Sequence, residues 1–88
     1  MKIKLSGNLK RFAGFNSLVD IDAATVREAI TRLVAQYPEL GPVLLDHDAS
    51  VRVVHRLFLD GDQLEQDQLD KSVDARAELG ILTALAGG

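Results

Sequence analysis

The chain opens on a two-residue alternation, Lys2-Ile3-Lys4-Leu5, which suits a strand with Ile3 and Leu5 turned to a core. Gly7-Asn8 and Gly14 punctuate the next stretch, and Leu18-Val19-Asp20-Ile21-Asp22 supplies a second short strand, with Leu18 or Val19 joining Ile21 on its inner face. Two strands so close in sequence predict a hairpin with a long loop. The period then changes. Val26, Ala29, Ile30, Leu33, Val34 and Tyr37 fall at the i, i+3, i+4, i+7, i+8, i+11 spacing of one apolar helical face, opposite Arg27, Glu28, Thr31, Arg32 and Gln36. Thr25 stands as N-cap with Glu28 three residues on, a capping box that gives acceptors to two free backbone N–H groups. Pro38 ends the helix, because it has no N–H to donate and its ring crowds the preceding turn.

Beyond it, Glu39 to Ser50 reads as a connector that crosses back over a sheet, with Val43-Leu44-Leu45 as a short helical turn on the core. Val51 to Leu59 predicts a long strand, with Val51, Val53, Leu57 and Leu59 on one alternation and Arg52, Val54, Arg56 and Phe58 on the other. Asp60-Gly61 marks a tight turn, Leu64 and Leu69 suit a short strand and a following turn, and Glu78 to Leu82 forms the last strand. The order strand, strand, helix, strand, short strand, strand leaves one amphipathic helix to cover one face of one sheet, an α+β two-layer domain. Residues 1–82 form this body and residues 83–88 a flexible tail.

Composition narrows the function classes. The chain has 88 residues, 47% of them apolar and 26% charged, which suits one small core that buries about 63% of the unfolded surface. With no cysteine, a disulfide framework, a thiolate metal site and a cysteine nucleophile are all excluded. Ten basic against thirteen acidic residues give a net charge of -3, and three Phe, one Tyr and no Trp leave little for stacking bases. Nucleic acid is therefore not an expected partner. No apolar run approaches the ~18 residues of a membrane span, and the N-terminal segment lacks a secretory signal. A cytoplasmic protein with no membrane partner is expected.

His47 lies between Asp46 and Asp48, and His55 lies in a strand; without further ligands at fixed spacing the first reads as a solvated loop and the second as a packed or edge residue, so no metal site is expected. Asp60, Asp62, Glu65, Asp67 and Asp70 do not match an EF-hand loop and read as a solvated turn whose charges steer a basic partner surface. The tail closes on Gly87-Gly88, two residues with no β-carbon, so a terminal carboxylate there would pass through a channel too narrow for any side chain. At ~3.3 Å per residue the six residues after Leu82 reach about 20 Å.

Taken in order, Gln36-Tyr37-Pro38-Glu39-Leu40 at the helix end, Phe58-Leu59-Asp60-Gly61-Asp62 at the turn and Leu82-Thr83-Ala84-Leu85-Ala86-Gly87-Gly88 at the tail resemble the MoaD/ThiS family of sulfur carriers, and the MoaD-like branch in particular. The likeness runs from Lys2 to Gly88. It implies a ubiquitin-like β-grasp fold, with a mixed sheet of four to five strands covered on one face by one main helix. It also implies a chemistry in which an adenylyltransferase of the MoeB/ThiF type uses ATP to convert the Gly88 carboxylate to an acyl-adenylate. A sulfide or persulfide donor then displaces AMP, and the resulting thiocarboxylate gives its sulfur to a synthase. On this reading the protein is a cosubstrate, not an enzyme, with no bound cofactor and no catalytic group of its own. Leu85, Ala86 and Gly87 thread into the partner, and Phe58, Leu64 and Leu82 form the docking face. Molybdopterin is the destination that the tail suggests first; thiamine thiazole, cysteine and secondary metabolites draw on similar carriers.

Two features depart from the family pattern. Asp74-Ala75-Arg76-Ala77-Glu78 replaces an acidic, Gly-containing turn before the last strand, and Thr83-Ala84-Leu85 replaces a stiffer, proline-containing tail, which raises the entropy lost on docking. The alternatives are a ubiquitin-like modifier joined through Gly88 to target lysines, and a β-grasp binding module whose glycines are inert.

Overall fold

The computed structural model describes residues 1–83. Within them five strands form one sheet: β1 (Lys2–Leu5), β2 (Leu18–Asp20), β3 (His55–Leu59), β4 (Asp62–Leu64) and β5 (Glu78–Thr83), in the spatial order β2-β1-β5-β3-β4. The sheet is mixed. β1 and β5 run parallel at its centre, with Lys2 opposite Glu78 and Leu5 opposite Ile81, and the remaining neighbours pair antiparallel. The α+β architecture expected from the element order is therefore present, with the full complement of five strands.

Alternation decides which side chains meet the helix. Ile3, Leu5, Val19, Leu57, Leu79 and Ile81 are buried on one face of the sheet, together with Val26, Ala29, Ile30 and Leu33 from α1 (Val26–Gln36). The open choice in the second strand falls to Val19 with Ile21, and Leu18 turns outward. Thr25 caps α1 as expected, its Oγ1 accepting from the Glu28 N–H at 3.0 Å. The reciprocal bond differs: the Glu28 carboxylate accepts from Ala24 N–H at 3.3 Å rather than from the cap residue itself. Pro38 ends α1 by opening a 3-10 turn, Pro38–Leu40, that buries Leu40, and a one-turn helix, α2 (Gly41–Leu44), then buries Leu44.

The long strand expected over Val51–Leu59 is shorter. Val51 makes only an isolated bridge to Leu45, the chain turns at Val53-Val54 with the His55 N–H on the Arg52 carbonyl at 3.0 Å, and pairing begins at His55. Val53 is 86% exposed. β-Branched residues favour a pleated strand only where a neighbouring strand is present to pack against, and among the described residues the last of β5, Thr83, lies opposite His55. β5 also extends one residue past Leu82, so Thr83 belongs to the sheet.

Asp60-Gly61 is the tight turn between β3 and β4, with both residues at positive φ (50° and 92°), the backbone of a two-residue hairpin loop. The departure at Asp74–Glu78 is resolved by side-chain chemistry instead of glycine: Asp74 Oδ1 accepts from Arg76 N–H at 2.8 Å and its carbonyl from Ala77 N–H at 2.9 Å, which delivers Glu78 into register with Lys2. Leu33→Ala, at a side chain with no exposed surface, should cost about 2–5 kcal/mol in urea unfolding. Thr25→Ala should cost about 1 kcal/mol in the same measurement.

Candidate functional site

The helix covers one face of the sheet, and the chemistry of interest lies on the other. Because Leu79 and Ile81 point inward, Glu78, Gly80 and Leu82 point outward along the central strand, and Leu82 is 45% exposed. Register builds rows across this open face. Leu18, Lys4, Gly80 and Phe58 lie side by side from β2 to β3, and Leu82 lies beside Arg56 one step nearer the end of β5. Gly80 has no side chain to fill its place in the row. A depression of about 510 Å³ results, walled by Phe58 and Leu82, with Lys4 and Ser6 on one side and Asp60 and Glu78 at the far end. A β-carbon on Gly80 would meet Phe58 Cβ at 3.9 Å, an ordinary contact, so the backbone there tolerates one.

Two of the three residues expected on a docking face, Phe58 and Leu82, are brought together here. Leu64 is not. It pairs with Leu57 across β3 and β4, and since cross-strand partners share a face it packs against the core on the helix side. Lys4, Ser6, Gly80 and Arg56 were missed. Lys4 and Gly80 were within reach of the same alternation argument, because each is flanked by two core residues. Leu85, Ala86, Gly87 and Gly88 lie outside the described residues.

The structure does define the root of that segment. Pairing with β1 stops at Ile81, whose carbonyl accepts from the Ser6 N–H and Oγ at 3.2 and 3.1 Å. Leu82 and Thr83 continue against β3 alone. His55, 8% exposed, is buried beneath this end, with Nδ1 3.1 Å from Thr83 Oγ1 and Nε2 2.7 Å from the Val43 carbonyl oxygen. It is a packed residue with both ring nitrogens engaged. His47, by contrast, is exposed in the Asp46–Ser50 loop, and among the described residues no three His, Asp or Glu side chains converge on a point. No helix among them is long and apolar enough to cross a membrane.

In that loop the Asp48 carboxylate accepts from Ser50 Oγ at 2.6 Å and from the Ser50 N–H at 3.1 Å. The Ser50 side chain first, and then the backbone N–H, holds the Asp48 pKa below its ordinary value. For a depressed carboxylate the associated stability is present above the unfolded pKa of about 3.9 and is lost as pH falls through the folded value. Ser50→Ala should raise the Asp48 midpoint toward the ordinary value in a ¹³C-detected NMR titration.

Neither a protein-family model nor a curated protein matches the chain. Solved structures do. SAMP1 from Haloferax volcanii superposes with a TM-score of 0.87 at 26% identity, covering 100% of this chain and 98% of that one. A chain of the BexX/CysO complex from Amycolatopsis orientalis gives 0.86 at 20% identity over 99% and 98%. CysO from Mycobacterium tuberculosis gives 0.83 at 16% identity over 96% and 98%. In fold, then, the chain stands with the ubiquitin-like β-grasp proteins of the MoaD/ThiS type, with SAMP1 and CysO as its structural neighbours.

Proposed function

We propose that the protein is a sulfur carrier whose Gly88 carboxylate is the reacting group. The observation that carries this reading is the double duty of β5: the strand that displays Gly80 and Leu82 on the open face is the strand that leads into residues 84–88. A partner that grips Phe58, Gly80 and Leu82 is thereby placed at the root of the Gly-Gly segment. The catalytic groups would belong to that partner, an activating enzyme, and the carrier needs none of its own.

A carboxylate resists nucleophiles because it is negatively charged and its oxygen is a poor leaving group. Attack of the Gly88 carboxylate on ATP releases pyrophosphate and makes the acyl-adenylate. Sulfide then adds to the acyl carbon, the bond to AMP oxygen breaks, and a thiocarboxylate remains. A persulfide sulfur gives the same product once its S–S bond is reduced by a thiol. The partners are an adenylyltransferase of the MoeB/ThiF type, a sulfur donor and an accepting synthase, all in the cytoplasm, with molybdopterin as the first destination to test. CysO from Amycolatopsis orientalis forms a complex with BexX, which supports a carrier that works bound to a second protein.

Likeness to SAMP1, a small archaeal modifier protein, favours a second reading in which the activated carboxylate is passed to a lysine amine. Intact mass separates the two. After incubation with adenylyltransferase, ATP and sulfide, the carrier should gain the oxygen-to-sulfur difference of about 16 Da; conjugates at the summed mass of carrier and target mark the modifier. A variant with one bulky residue added after Gly88 should show neither product, and unimpaired function in it would discard both readings. Leu82→Asp and Gly80→Leu should leave stability within about 0.5 kcal/mol. Each should reduce kcat/KM for adenylation about thirtyfold, as loss of an interface anchor does.

A further inference from the structure

We infer that His55 is a positioning residue for the reactive terminus, one that clamps Thr83, the last described residue of β5, and so fixes the point from which residues 84–88 depart. The inference rests on the carrier reading for its functional consequence, but its geometry stands alone. Leu82 and Thr83 extend past the last β1 partner of β5 and are held by β3 only. Strand ends with one neighbour are where local opening is easiest. A side-chain link here therefore matters more than at the middle of the sheet.

Hydrogen-bond inventory sets the direction of that link. The Val43 carbonyl oxygen, 2.7 Å from Nε2, is an acceptor only, so Nε2 carries the proton and donates. In the neutral ring Nδ1 is then an acceptor, and the Thr83 hydroxyl, 3.1 Å away, donates to it. Thr83 O–H, the imidazole and the Val43 carbonyl form one directed chain from the end of β5 into α2, which is itself held on the core by Leu44. A buried polar ring is tolerated only when its nitrogens are bonded, and both are. Leucine would occupy the same volume without grasping Thr83.

A fixed Thr83 leaves fewer residues to order when the Gly-Gly terminus enters a partner and keeps that terminus at higher effective concentration there. Thr83→Val keeps the shape and removes the donor; Thr83→Ser keeps the donor and restores the clamp. In the full chain, ¹⁵N imidazole shifts should place the His55 proton on Nε2. In Thr83→Val the amide order parameters of Leu82 and Thr83 should fall from about 0.85 to below about 0.6, with Ile81 unchanged. The KM of the carrier for a MoeB/ThiF-type adenylyltransferase with ATP should rise about fivefold, with kcat within about twofold, and Thr83→Ser should return both to wild type.

A proton on Nδ1, or order parameters in Thr83→Val equal to wild type, overturns the clamp. A fall in melting temperature with unchanged KM also overturns it, because that is the signature of a structural residue alone. If the wild-type protein gains no sulfur with enzyme, ATP and sulfide, it is the carrier reading that fails, and the tautomer and order parameters still judge the clamp.

Discussion

The structure turns on what one strand must do at once. β5 sits at the centre of the sheet, with β1 parallel on one side and β3 antiparallel on the other, and it is the strand that leads into the Gly-Gly segment. Its inward residues, Leu79 and Ile81, are almost fully buried. Because side chains alternate with a period of two, burying those residues forces Gly80 and Leu82 to the open face. A slip of one residue would bury Leu82 and expose Leu79 and Ile81, so the register that secures the core is also the register that builds the candidate docking face.

The smallness of the protein sharpens this coupling. Among the described residues one main helix, α1, lays its apolar stripe on one face of the sheet, and no element covers the other. The open face answers that exposure with a mixture: Phe58, Leu82 and Leu18 as apolar contacts, Lys2, Lys4 and Arg56 as cations, Asp20 and Glu78 as anions. The bare Gly80 gives this mixed surface a concave centre.

Holding the last residues of β5 demands a different solution, since β1 has already left the sheet. Ser6 bonds the Ile81 carbonyl on one side and His55 engages Thr83 on the other. Together they secure the last described residues of the strand. The His55 contact links residues 28 apart in sequence, and the bond from its ring to Val43 spans a further 12.

What was legible in the sequence was whatever depends on local periodicity and backbone chemistry. The apolar stripe from Val26, the Thr25 cap, the stop at Pro38 and the Asp60-Gly61 turn all act within a few residues, and each is where the pattern placed it. The outward placement of Leu82 came from the same two-residue rule. What the tertiary structure alone decided was pairing. Leu64 went to the core side because Leu57 is its partner, and Val53 and Val54 form a turn ahead of the strand, whose pairing with β5 is described from His55 onward. His55 became a clamp because Thr83 and Val43 converge on its two nitrogens. Periodicity states that a residue has an inside and an outside; only the neighbouring strand, brought from elsewhere in the chain, determines what it meets there.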